Sequence, residues 1–366
     1  MLYLLKKANF ISPYIFAFFL TSLSLLAKET QSGKDLKTEI KDYISHHLED
    51  AHDFSLFSYT NNLGKHVYVG IPLPVILWDE GLKIFSSSKL KHGEGVVKSG
   101  SSYYKLEHGK IYKTDLSGKI NYDQNKHPTN KLPLDLSITK GVVSMLIIGV
   151  LMFFLFASLA KSYKKNSGIP KGIGRFFEPI LLYVRDEIAR PNIGEKKYFY
   201  YMNFLLTVFF FIWFLNLLGL TPLGVNVTGN ISVTFGLALL TFLITNITGT
   251  KTYWFHILDP LGNSMKWYAK IPLYIILIPI ELLGIIIKPF SLLIRLYANM
   301  QAGHIVLMSL IGLMFIFKSW LGSPLSFGLA FAISIIELLV ALLQAYIFTM
   351  LSALYFGFAA EEHEHH

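Results

Sequence analysis

Arg295 stands in the run SLLIRLYANMQAGHIVL, apolar on both sides for more than the depth of a bilayer, and a guanidinium stays charged at any accessible pH. An arginine at the centre of a membrane helix costs on the order of 2.5 to 3.5 kcal/mol, so its presence calls for an anionic partner. No carboxylate lies within one helical turn of it. The partner therefore comes from a distant part of the chain or from another protein. Glu281, Lys288 and Arg295 are spaced seven apart, which at ~100° per residue puts them on one helical stripe with about 20° of drift per step. Asn299 follows one turn beyond Arg295 on nearly the same face, whereas His304 points roughly the opposite way, about 13 Å further along the axis. On the next apolar run Glu337 and Gln344 repeat the seven-residue spacing. Antiparallel packing of the two runs would bring Glu337 towards His304 and Gln344 towards Arg295.

Glutamate and histidine are the side chains that pass protons near neutral pH when buried together. Arginine cannot do that, but it can act as a fixed positive barrier that a carboxylate passes only when ionised. The layout implies two polar access paths, one marked by His304 and Glu337 and the other by Glu281 and Lys288, with a cation between them. Plainer readings stay open for each residue. Lys288, before Pro289, can snorkel to the surface, and Glu281 can pair with it. His304 can make an interhelical hydrogen bond, and Arg295 can sit in a buried ion pair that fixes packing.

These residues need a membrane scaffold, and the composition demands one. Apolar residues make up 52% of the chain, more than a soluble protein of this length keeps in solution. The formal charge of +9 lies beside apolar runs, as topology signals do, rather than in a stripe interleaved with exposed aromatics, so nucleic acid is not a partner. With zero cysteines there is no disulfide framework, thiolate zinc site or iron–sulfur cluster. No residue set calls for a metal or a cofactor. His46, His47 and His52 fall at helical spacing on a charged segment and read as a solvated face.

Spans are expected near 141–160, 199–220, 231–250, 271–317 and 325–358. The last two are too long to stand upright across a hydrocarbon core of about 30 Å, which implies strong tilt or bending and a long lateral surface. Between the first two spans, Lys161 to Lys197 is rich in Lys and Arg, which places it on the cytoplasmic side. Within it, Phe176, Ile180, Val184 and Ile188 recur every four residues and predict an amphipathic helix on the inner surface. Five crossings leave the C-terminus cytoplasmic. Residues 1–27 read as a secretory signal peptide, and 28–132 as a small extracytoplasmic domain, helix-like at KDLKTEIKDYISHHLEDAHDF and β-rich beyond. Asn226, Asn230 and Asn246 match the N-glycosylation pattern, but a tight turn and a span make these chance matches. The fold class is an all-α integral membrane protein with five transmembrane helices, a surface helix and a β-rich N-terminal domain.

The stretches IELLGIIIKPFSLLIRLYANMQAGHIVL and IIELLVALLQAYIFTMLSALYFGFAAEEH closely resemble the subunit a family of F-type ATP synthases, the stator half of a rotary proton channel. SLAKSYKKNSGIPKGIGRFFEPILLYVRDEI and FLLTVFFFIWFLNLLGLTPLG are similar to that family's first cytoplasmic segment and hairpin. The resemblance runs from about residue 134 to 366, and the RLxANMxAGH motif with a Gln-bearing last helix is its most specific element. It implies that Arg295 faces the ring of c subunits and engages their carboxylate, with Gln344 as its neighbour. It further implies that Asn299, His304 and Glu337 line the extracytoplasmic half-channel and Glu281 the cytoplasmic one. Implied partners are the c-ring, the b subunits, membrane lipid and, indirectly, the F1 sector. The implied location is a bacterial inner membrane. Asn216 matches a polar family position, while Gly219 stands where some members carry an Asp. The N-terminal domain is a departure from the common bacterial form. No GxxxxGK[ST] loop occurs, so nucleotide chemistry would belong to other subunits. A secondary transporter using Arg295 to bind an anion would need inverted repeats, which five spans do not show. A scaffold would treat the polar stripe as packing alone.

Overall fold

The computed structural model describes residues 50–60, 66–124, 127–166, 171–221, 225–261, 267–317 and 322–361. The signal-like segment, His46 and His47 lie outside them. The described N-terminal part is antiparallel β. Strands β1 (Asp53–Thr60) and β2 (His66–Pro72) pair with a bulge at Ser55/Phe57. Strands β3 (Pro74–Trp78), β4 (Leu82–Ser86) and β8 (Leu134–Asp135) form one three-stranded sheet in the order β4-β3-β8. Strands β5 (Val96–Ser99), β6 (Ser102–Glu107) and β7 (Lys110–Thr114) form another. Val75 and Leu77 point inward at period two along β3 and join Phe85, Leu90, Val97, Tyr104 and Ile111 in one core. His52 is not on a solvated helical face. It is buried, with Nε2 2.7 Å from Asp135 Oδ2 on β8. Strand pairing begins at Asp53, a tertiary contact that local propensity does not anticipate, and the helix-like segment before residue 50 lies outside the described residues.

The rest of the described chain is helical. Helix α1 (Lys140–Lys165) starts at Thr139, whose hydroxyl accepts from the Val142 N–H. Helix α2 (Ile173–Tyr183) continues into a π-helical stretch, Val184–Ala189, and a short turn, Arg190–Ile193. Then come α3 (Tyr198–Gly219), α4 (Ile231–Ile247), α5 (Lys251–Leu258), α6 (Trp267–Phe317) and α7 (Gly322–Ala360). Four of these helices are long and apolar enough to cross a membrane. A fifth crossing is counted if α4 and α5, bent by 98° at their junction, are taken together. The bend falls at Thr250, which caps α5 and whose hydroxyl donates to the Glu361 carbonyl beyond the end of α7.

Helix α3 is apolar all round and sits inside the bundle. Its fully buried Phe210 meets Phe156 of α1 and Phe177 of α2 edge-on. On the surface helix Val184 and Ile188 are buried as the four-residue stripe requires, but Phe176 is 65% exposed and Phe177 packs instead. Steps of four overrun a 3.6-residue turn, so the buried stripe has moved one residue by that point.

Helices α6 and α7 form an antiparallel outer pair. At 51 and 39 residues they run about 76 and 58 Å. Their register is fixed at three levels. Gly303 lies against the Glu337 carboxylate, the Tyr355 hydroxyl is 3.5 Å from the Lys288 carbonyl, and Glu281 lines one cavity with Phe358.

Candidate functional site

Arg295 lies near the middle of α6 and is only partly buried. Among the described residues it makes no hydrogen bond and no ion pair. The register set by Gly303 with Glu337, and by Lys288 with Tyr355, puts Gln344 of α7 at the level of Leu296, beside Arg295. Gln344 is buried. Along the outer face of this helix pair, Ile280, Leu283, Ile287, Ile294, Leu339 and Leu343 are exposed. Asn299 is exposed too. It does not join His304 inside the bundle.

Toward the β domain, polar groups gather at the end of α3. His304 is buried, and its Nε2 is 3.0 Å from the Gly219 carbonyl, while Nδ1 has no partner. A side chain at Gly219 would press on the imidazole at 3.3 Å, so glycine here lets the ring reach the helix end. Both oxygens of Glu337 are buried without a hydrogen bond. A Cβ at Gly303 would overlap Oε1, so the missing side chain next to His304 is what seats the acid. The expected approach of Glu337 to His304 thus takes the form of neighbouring seats, without a direct bond. Asn216 is fully buried, its amide donating to the Ala341 carbonyl at 3.2 Å and its oxygen accepting from Thr228 at 2.7 Å. It ties α3 to α7 and to the turn before α4.

A cavity of about 290 Å³ opens on this side, lined by Asn226, Asn230, Tyr297 and Gln301 among others. Asn226 donates to Gln301 Oε1 at 3.2 Å, and Gln301 stands one turn from His304. Sequence reasoning passed over Asn226 and Asn230 as chance glycosylation matches and gave Gln301 no role. The signal available was that Gln301, His304 and Tyr297 recur at three- and seven-residue spacing on one helix face.

The opposite end of α6 holds a second cavity, of about 250 Å³, lined by Tyr253, His256, Glu281, Ile285, Lys288 and Glu361 among others. Lys288 is not paired with Glu281. Its ammonium lies over the rings of Phe358 and Tyr355, at 5.5 and 5.9 Å, a cation–π arrangement. Pro289 removes the backbone donor that the carbonyl of Ile285 would meet one turn earlier, leaving a polar group at the cavity wall. Arg295 therefore falls between two polar cavities, seven residues past Lys288 and six before Gln301.

Comparison with known proteins fits this layout. The family model described as "ATP synthase A chain" matches residues 142–357, and a domain of unknown function matches residues 43–136. ATP synthase subunit a of Chloroherpeton thalassium is 41% identical over 233 residues, covering 63% of this chain and 69% of that protein. The Myxococcus xanthus subunit a is 43% identical over 240 residues, covering 64% and 76%. The subunit a of Chlorobium phaeobacteroides strain BS1 is 36% identical over 335 residues, covering 83% of this chain and 96% of its own length. With a family model that spans more than half of its length and a relative covered almost from end to end, the chain belongs to the ATP synthase A chain family, the subunit a of ATP synthases.

Proposed function

We propose that this chain is the proton-conducting stator subunit of the ATP synthase membrane sector, working through two offset half-channels separated by Arg295. The observation that carries this reading is the lone guanidinium between the two cavities. It stands on a helix pair whose outer apolar face is uncovered. The c-ring packs on that face. Each rotor carboxylate is ionised as it passes Arg295, and Gln344 steadies the guanidinium from the neighbouring helix. A proton reaches the ring from the cavity at Asn226 and Gln301 by way of His304 and Glu337, with Asn216 holding the surrounding helices. It leaves by the cavity at Glu281, with Lys288 at its wall. Asn299, exposed near Arg295, faces the rotor side. A fixed positive charge keeps protons from crossing directly, so they cross only by riding the ring. The membrane potential contributes about 2.3 kcal/mol per charge per 100 mV along this route.

The b subunits and the F1 sector complete the machine, and nucleotide chemistry takes place in F1. The chain lies in a bacterial inner membrane with the β domain outside and the C-terminus in the cytoplasm, and α4 with α5 supplies the fifth crossing. Residues 1–27 are the export signal, 28–132 the exported domain and 133–366 the membrane domain. The test is Arg295→Ala in the assembled complex. ATP-driven proton pumping in membrane vesicles should vanish while the c-ring still co-purifies, and full pumping would sink the mechanism.

A further inference from the structure

Among the described residues, the domain of unknown function reaches the first cavity through Asp50. Asp50 lies within its matched span and lines the cavity of about 290 Å³ together with Lys140, Tyr297 and Gln301. Its Oδ1 accepts from the Gly141 N–H at 2.9 Å, and its Oδ2 accepts from the Thr139 hydroxyl at 2.9 Å and the Asn230 amide at 3.2 Å. Gly141 permits this approach, since a Cβ there would stand 3.1 Å from the carboxylate. Three donors hold the carboxylate in place at the cavity mouth. Lys140, whose ammonium lies 5.9 Å from the Phe54 ring, interacts electrostatically with both Asp50 and Asp53. The cavity has room for several waters, and His304 stands one turn along the helix from Gln301 on its wall, next to Gly303, against which the Glu337 carboxylate lies.

We infer that the N-terminal domain completes the outer mouth of the extracytoplasmic half-channel, and that Asp50 collects protons there. The inference rests on the half-channel reading above and adds a role for the domain. A carboxylate at the rim of a low-dielectric cleft focuses the field and raises the local cation concentration, which speeds uptake. Uptake from the outside matters when a gradient drives synthesis. In ATP-driven pumping protons leave by this mouth, so the charge matters less there.

The experiment uses the assembled synthase in vesicles of known orientation. Asp50→Asn should slow gradient-driven ATP synthesis several-fold at low outer proton concentration, with the deficit shrinking as that concentration is raised, and be rescued by Asp50→Glu. The chain has zero cysteines, which allows a second arm that does not depend on folding. Asp50→Cys complexes are assayed before and after labelling from outside with an anionic or a cationic methanethiosulfonate. The anionic reagent should restore synthesis and the cationic one should not. An unchanged synthesis rate in Asp50→Asn, or equal effects of the two reagents, would leave Asp50 as a mere staple between domains and overturn the inference. Pumping that survives Arg295→Ala would sink the underlying reading, whereas flat Asp50 arms alone sink only this one.

Discussion

Two glycines decide where the buried His304 and Glu337 side chains can sit. Gly219 lets the His304 ring come up to the end of α3, and Gly303 leaves the space that the Glu337 carboxylate fills. The atom a methyl at Gly303 would strike is the tip of a long side chain, so Gly303→Ala should swing the acid aside without unfolding the helix pair. The expected result is a fully assembled complex whose ATP-driven acidification of vesicles falls several-fold, since a displaced proton carrier costs rate before it costs stability. Parent-level acidification in that variant would mean that Glu337 works from some other position. Asn216 is a contrasting case. Its two hydrogen bonds join α3, α7 and the turn at Thr228, so Asn216→Leu should leave the buried Thr228 hydroxyl without its acceptor, cut the tie to α7 and lower the amount of assembled complex.

The helices were legible as uncharged runs whose lengths translate directly into spans, because a bilayer forces every backbone group to be satisfied within its own segment. The seven-residue stripe of Glu281, Lys288 and Arg295 was equally legible, since it depends on helical pitch alone. What one helix meets on another was not. Phe176 gave way to Phe177, Asn299 turned outward and Lys288 chose aromatic rings over Glu281, all through contacts between segments distant in sequence. Asn226, Gln301 and Asp50 remained invisible for the same reason, since a cavity is a property of several elements at once. Interhelical contact also sets the element most sensitive to a small change, the junction of α7 with the turn Arg190–Ile193. A Cβ at Gly357 would overlap the backbone carbonyl of Asn192, and backbone cannot step aside as a side-chain tip can. Gly357→Ala should therefore destabilise the bundle by on the order of 1 to 3 kcal/mol. Quantitative blotting of the membrane fraction would show this as a lower steady-state level, and an unchanged level would mean that the turn relaxes freely.

At the scale of the whole chain, the β domain stands on its own core and carries its own electrostatic lock. Asp79 is buried, and its carboxylate receives Lys113 at 2.8 Å, the Tyr104 hydroxyl at 3.0 Å and Lys131 at 3.4 Å. The Lys113 ammonium beside it holds the Asp79 carboxyl below its ordinary value of 3.8. Because the folded value is depressed, the stabilisation is complete above the unfolded value and disappears as pH falls through the folded one. Acidification should thus leave the domain intact until the pH drops below 3.8, and only then loosen it. Hydrogen exchange on the full-length protein tests this, with amides of β3 and β6 as reporters. Protection should hold from pH 7 to about 4 and then decline, whereas Asp79→Asn should exchange about tenfold faster at neutral pH and lose that acid-dependent step. A parent protein whose protection begins to fall near pH 6 would overturn the part given to Asp79. Such a domain, held by Asp79 and joined to the helices through Asp50, keeps the first cavity in one shape from neutral pH down to about 4.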